Sequence, residues 1–178
     1  MKSIKRLAIG LAMVLVAAVA TAGDKIAVLD DCDPTDLEWA PTGGCVLGDG
    51  NVGVAEFSSP SVLPEGHPAW RNEPSYVKIE PDEKVKVTNK GGRRHTFTEV
   101  AAFGGGFVPP LNNPPFIQLP VPECAGGFAN PAVASTDLPP GAKLEVSGLS
   151  EGTHLFMCCI HPWMRAAIKV IEEEEEED

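Results

Sequence analysis

The sequence predicts an all-β chain, a Greek-key sandwich of strands, on three observations. Four short runs alternate apolar and polar residues with the two-residue period of a half-buried strand, YVKIE from Tyr76, KVKVTN from Lys84, RHTFTEV from Arg94 and AKLEVSGL from Ala142, and THLFMCC from Thr153 and AAIKVI from Ala166 read as two further strands. Turn residues divide them, notably Pro81-Asp82-Glu83 and Gly91-Gly92. Past the first 22 residues, no segment carries the 3.6-residue apolar spacing of an amphipathic helix.

Taken in order, residues 1–22 read as a signal peptide. Lys2, Lys5 and Arg6 precede an uncharged apolar run from Leu7 to Ala20, and Ala20-Thr21-Ala22 is a small-x-small cleavage pattern. The run, about 14 residues, falls short of the roughly 20 that a bilayer span needs. The expectation is therefore an exported chain, periplasmic or secreted, with no membrane span after cleavage. Residues 23–70 read as an irregular N-terminal extension with one or two strands. The acidic cluster Asp30, Asp31, Asp33, Asp36 and Glu38 lacks the spacing of an EF-hand calcium loop.

The strand pattern begins at Tyr76, so residues 71–171 form the predicted domain. In KVKVTN the inward residues are Val85 and Val87. In AAIKVI they are Ile168 and Val170. Residues 101–141 interrupt the pattern with nine prolines and six glycines. So long a connection is either functional or disordered. Phe103, Phe107, Phe116, Ile117 and Phe128 can bury area, which favours an ordered flap draped over the sandwich. THLFMCC gives that flap something to cover. Phe156 and Cys158 share one face, Leu155, Met157 and Cys159 the other, so both faces are mostly apolar. The EEEEEED run of 172–178 repels itself and reads as a solvated tail.

Charge narrows the range of partners. The formal net charge is −11, and removing the three basic residues of the leader takes it to −14, of which seven lie in 172–178. Nucleic-acid binding wants a basic footprint and is excluded. A partner with a basic face would be attracted at long range in a salt-dependent way.

The chain has five cysteines, an odd number in an export context that favours pairing. One thiolate in a metal site would leave four for two bridges. Cys32 and Cys45, 13 apart, close a comfortable loop. Cys124 in the flap is the natural partner of Cys159 beneath it.

The chemistry concentrates in 153–171. Cys158, Cys159, His161 and Met164 lie at the end of one strand and the start of the next, and His95 sits on an earlier strand. Thiolate and thioether suit Cu(I), and imidazole suits both oxidation states of copper. Structural zinc prefers four strong ligands, and a thioether is a poor one. Cysteine nucleophilic catalysis with a histidine has no oxyanion device to support it, so no enzyme is expected. His67 and His154 read as structural.

Cys158-x-x-His161-x-x-Met164 behind an upstream strand histidine resembles the cupredoxin, or blue type 1 copper, family. The short loop is most similar to amicyanin and plastocyanin-like members, with Cys158, His161, Pro162, Trp163, Met164 and Arg165 in the same order. The resemblance implies one type 1 copper ion, held by His95 and His161 as imidazole ligands, Cys158 as the short thiolate and Met164 as the long axial thioether. Cys158 rather than Cys159 has the family's three-residue offset to His161. The doubled cysteine and the long flap depart from the simplest family pattern. The function implied is electron transfer by Cu(I)/Cu(II) cycling, with a redox partner docking near His161, Pro162 and Trp163. The alternative is a copper-sequestering or copper-delivery protein of the cell envelope, and a third reading makes the copper merely structural.

Overall fold

The computed structural model describes residues 25–47, 49–62, 65–112 and 118–171. The expected leader, the acidic tail, Phe116 and Ile117 lie outside the described residues. Ten strands are present among those described: β1 (Lys25–Leu29), β2 (Arg71–Glu73), β3 (Tyr76–Ile79), β4 (Val85–Asn89), β5 (His95–Thr96), β6 (Thr98–Val100), β7 (Asp137–Leu138), β8 (Lys143–Val146), β9 (Gly152–Met157) and β10 (Arg165–Val170). Helical structure is slight, the α-helical part being α1 (Val54–Phe57) and α2 (Pro131–Ser135). The fold is all-β, as the alternating runs predict.

One four-stranded sheet has the order β2-β1-β4-β8, a second β3-β10-β9-β6, and β5 pairs with β7 alone. Side chains from both large sheets meet in one apolar cluster. Ile26, Val28, Val85 and Val87 come from the first sheet; Val77, Ile79, Phe156, Ala166, Ile168 and Val170 come from the second. Val85 and Val87 are buried while Lys86 is exposed, so the pleat sorts them as the sequence indicates. Burying each such side chain is worth about 1.5–3 kcal/mol against leaving it in water. The turn after β3 places Asp82 at φ 68°, a left-handed conformation that Asp tolerates.

The extension holds a strand, as the sequence reading expects, and one later run differs from that reading. The stretch before residue 70 supplies β1, which lies between β2 and β4 and runs parallel to β4, with Ile26 opposite Val87 and Val28 opposite Asn89. The run RHTFTEV is two strands rather than one. His95–Thr96 pairs with β7, whereas Thr98–Val100 pairs with β9. Phe97 between them is fully buried and stacks on Phe156 at 4.7 Å. Thr96 and Thr98 are also buried, because their hydroxyls bond each other and Thr98 bonds Thr136. Satisfied hydroxyls let a nominally polar face go inside.

The flap is ordered where it is described. Asn130 caps α2, its Oδ1 accepting from Ala132 N at 3.0 Å. Phe103, Phe107, Val121, Cys124 and Val133 pack on Val100, Leu155, Met157 and Cys159 as a second apolar cluster. The second face of β9 is thus covered by the flap, as its composition required. Disulfides join Cys32 to Cys45 and Cys124 to Cys159, and Cys158 is free and buried.

Candidate metal centre

β9 and β10 form an antiparallel hairpin in which Met157 faces Arg165, and residues 158–164 are the loop between them. Two backbone bonds close that loop, Cys158 N to Met164 O at 3.0 Å and Met164 N to His161 O at 2.9 Å. Cys158 and Met164 are both buried within the sandwich cluster. Cys159 turns the opposite way into the flap cluster. Pleat geometry therefore separates the two adjacent sulfurs, one inside the sandwich and one bridged to Cys124.

β5 brings the upstream imidazole to this loop. Thr96 N donates to Cys158 Sγ at 3.4 Å, and Thr96 Oγ1 accepts from Cys159 N at 2.8 Å, so β5 is stitched across the cysteine pair. Asn89 fixes the turn leading into β5 through bonds to the carbonyls of Arg93 and Leu138. As a result His95 Nδ1 stands 3.8 Å from Cys158 Sγ, and His161 Nδ1 stands 3.6 Å from it. The two imidazole rings are 4.9 Å apart. His95 and Cys158 are 0% exposed and His161 4%.

These three residues are the group of ligating side chains that the fold draws together, their ligand atoms all within 4.8 Å of one another. The spacing of the three donors fits a metal ion. Metal–sulfur and metal–nitrogen bonds of about 2.3 and about 2.0 Å at a trigonal angle would set sulfur and nitrogen about 3.7 Å apart, and the observed separations straddle that value.

The electrostatics favour the ligating forms of Cys158 and His161. Burial alone would raise the Cys158 thiol, but its contacts with the His161 and His95 rings outweigh that and place it well below its ordinary range. Thr96 N and His161 N add two N–H bonds to the sulfur. Burial dominates at His161 and lowers its pKa, which leaves a neutral ring with a lone pair. At His95 burial pulls the same way, yet the hydrogen bond to Asp30, with the Cys158 sulfur, turns the net shift upward.

Asp30 is a residue the sequence reading missed in this role. It follows β1, and its Oδ2 lies 2.7 Å from His95 Nε2 with both side chains fully buried. Burial raises its carboxyl, but the His95 bond and the Gly92 and Arg93 amides outweigh that and lower it. Asp30 was legible only as part of an acidic cluster. Two other members cap backbone amides elsewhere: Asp33 Oδ1 accepts from Thr35 N, and Asp36 accepts from Glu38 N and Val54 N.

The surroundings of His161 differ from the exposed edge expected. Pro162 is buried, and Trp163 is half-buried, its ring lying under Gly66, where any side chain would overlap it. Phe57 packs 6.0 Å from both His161 and Trp163. His161 instead borders a cavity of about 600 Å³ lined by Arg93, Arg94, Phe107, Phe128 and Ile160. His67 bonds Glu56, and His154 bonds Glu99 and the Ser150 carbonyl, away from the centre.

Fold and site together define a β-sandwich with one buried imidazole–thiolate–imidazole group able to hold a metal ion. No model of a protein family matches the chain, nor does any curated protein. The solved structures it is similar to include a novel purple cupredoxin from Nitrosopumilus maritimus, at 14% identity and a TM-score of 0.43, covering 83% of this chain and 99% of that one. A mutant plastocyanin of fern matches at 15% identity and a TM-score of 0.40 with the same coverage. A reduced-state amicyanin mutant matches at 17% identity and a TM-score of 0.35, covering 56% of this chain and 71% of the other. These are cupredoxins, the family that the ligand spacing also resembles.

Proposed function

We propose that the chain is an exported electron carrier with one type 1 copper ion held by His95, Cys158, His161 and Met164. The observation that carries this is the free, buried Cys158 sulfur flanked at 3.6 and 3.8 Å by two imidazole nitrogens. Bound there, copper would supply a one-electron Cu(I)/Cu(II) couple. Met164 is the natural fourth donor, buried and tied by its backbone to both Cys158 and His161. Thiolate, two imidazoles and a weak thioether are the blue-copper donor pattern.

The chain's contribution is rigidity and dryness. Cys158 and Met164 sit on a loop closed by backbone bonds, and β5 is fixed to that loop through Thr96. Ligands held by strands and satisfied hydrogen bonds keep their places when the charge at the centre changes. No helix among the described residues is long and apolar enough to cross a membrane. A redox protein partner would dock near His161, where the opening between Phe107, Phe128 and Ile160 brings its surface close to the ring.

The same donors would also serve copper sequestration or delivery. Delivery needs the ion to leave readily, and three fully buried or nearly buried ligands oppose that. Electron transfer is the better fit.

Copper-reconstituted protein tests the reading. One equivalent should give an intense visible thiolate-to-Cu(II) absorption that bleaches and returns on reversible one-electron cycling, and Cys158→Ser should lose it. A protein that binds Cu(II) without colour, or cycles only with loss of the ion, would sink the proposal.

A further inference from the structure

Asp30 is a buried carboxylate facing the side of His95 away from Cys158. We infer that it is the positioning residue of the centre: it fixes His95 in the tautomer that turns Nδ1 toward Cys158, and it biases a bound copper ion toward Cu(II). The inference rests on the copper reading above.

Its hydrogen bonds show why capping alone does not account for it. Oδ1 accepts from Gly92 N at 2.9 Å and Cys32 N at 3.3 Å, and Oδ2 accepts from Arg93 N at 3.0 Å. Those three bonds would suffice to hold the Gly91-Gly92 turn. The fourth, from His95 Nε2 at 2.7 Å, spends the remaining acceptor capacity on a ligand ring. Among the described residues no arginine side chain bonds the carboxylate: the Arg93 guanidinium is turned to the carbonyls of Thr42 and Gly44 and acts on Asp30 only through space. A buried charge of that kind is costly unless it is hydrogen-bonded, and the shortest of its bonds is the one to His95.

The imidazole has two nitrogens and, when neutral, one proton. An ionised carboxylate can only accept, so the proton resides on Nε2 and the lone pair on Nδ1. The other tautomer would set two acceptors against each other at 2.7 Å. A carboxylate behind a ligating histidine fixes its orientation and makes it a stronger donor. A stronger donor and an added negative charge both stabilise Cu(II) more than Cu(I).

The backbone is arranged for this contact. β1 runs beside β4 as far as Val28 opposite Asn89, and Lys90 N continues the pairing to Val28 O at 2.8 Å, which brings Asp30 against the 91–95 turn. A Cβ at Gly91 would overlap the carboxylate, so only glycine leaves room there. Two residues on, Cys32 is bonded to Cys45.

The test compares wild type, Asp30→Asn, and Asp36→Asn as a carboxylate cap outside the centre, all copper-loaded. Asparagine keeps the size of Asp30 and, through its one oxygen, the bonds from Gly92 N and Cys32 N, while its NH2 replaces the acceptor that faces Arg93 N and His95. The expected result for Asp30→Asn is copper affinity weakened 10–100-fold. Its reduction potential should rise by at least a tenfold change in preference for Cu(I), about 59 mV for one electron. Asp36→Asn should show neither change. Unchanged potential and affinity in Asp30→Asn, with only a lower melting temperature, would reduce Asp30 to a turn cap and overturn the inference. Should that variant fail to fold, nitrogen NMR of the metal-free wild-type protein decides, since no metal then dictates the tautomer: a neutral His95 with its proton on Nδ1 refutes the assignment, and one with its proton on Nε2 supports it. Wild type without thiolate colour would instead refute the copper reading itself, and the inference with it.

Discussion

Cys158 and Cys159 are adjacent, yet one sulfur faces two imidazoles inside the sandwich and the other is bonded to Cys124 in the flap. Strand alternation made that division readable from the sequence, because neighbours on a pleat point oppositely. The three-residue spacings to His161 and Met164 were readable too, because these candidate ligands share one short loop. Asp30 was not readable, since its tie to His95 spans 65 positions and depends on which strand β1 joins. Met164 offers the cleanest single-residue prediction. Leucine conserves its volume, so Met164→Leu should cost under about 1.5 kcal/mol of stability. It should still take up copper and stay coloured, while losing a weak donor to Cu(II). The potential should rise by roughly 60 mV, a tenfold shift toward Cu(I). Cyclic voltammetry checks this, and an unchanged potential would remove Met164 from the ligand set.

At the scale of elements, most strands were legible wherever one face is dry and the other wet, as in β4 and β10. A strand or two in the extension was legible, but not that β1 joins the sandwich, because IAVL is a four-residue apolar run without a partner nearby in sequence. The break between β5 and β6 escaped because Thr96 and Thr98 look like a solvent face and are buried by their own hydroxyl bonds. β6 and β9 also share a cross-strand contact that should report on pH. His154 Nδ1 lies 2.6 Å from Glu99 Oε1, and its Nε2 lies 2.8 Å from Ser150 O. Only the imidazolium can donate at both nitrogens. The Glu99 bond and then the Ser150 bond raise the folded-state pKa of His154. The stabilisation is therefore complete below the unfolded value of about 6.5 and fades as pH climbs through the raised folded value. Thermal melts of wild type and Glu99→Gln should differ by up to about 1 kcal/mol near pH 5.5 and converge once the pH has passed the raised folded value. A difference that grew with pH would contradict the assignment.

Across the whole molecule, the charge is strongly acidic while the approach to His161 is not. The formal charge is −11, with seven negative residues in 172–178. The cavity beside His161 is lined by Arg93 and Arg94, and Arg94 is paired with Asp137. The global field and the local one thus oppose each other, and salt decides between them. The screening length is about 30 Å at 0.01 M and about 10 Å at 0.1 M. At low salt a small redox reagent feels the whole chain; at higher salt it feels mainly the rim of the opening. Electron exchange with a cationic metal complex should therefore outpace that with an anionic one of similar driving force, by about tenfold or more at 0.01 M. The advantage should shrink steeply as salt rises. Deleting 172–178 should remove much of the low-salt advantage and leave the colour and potential untouched. Stopped-flow rates across ionic strength make the comparison. Faster exchange with the anion at low salt would mean that the two arginines, not the acidic body, govern approach, and the natural partner would then need an acidic face.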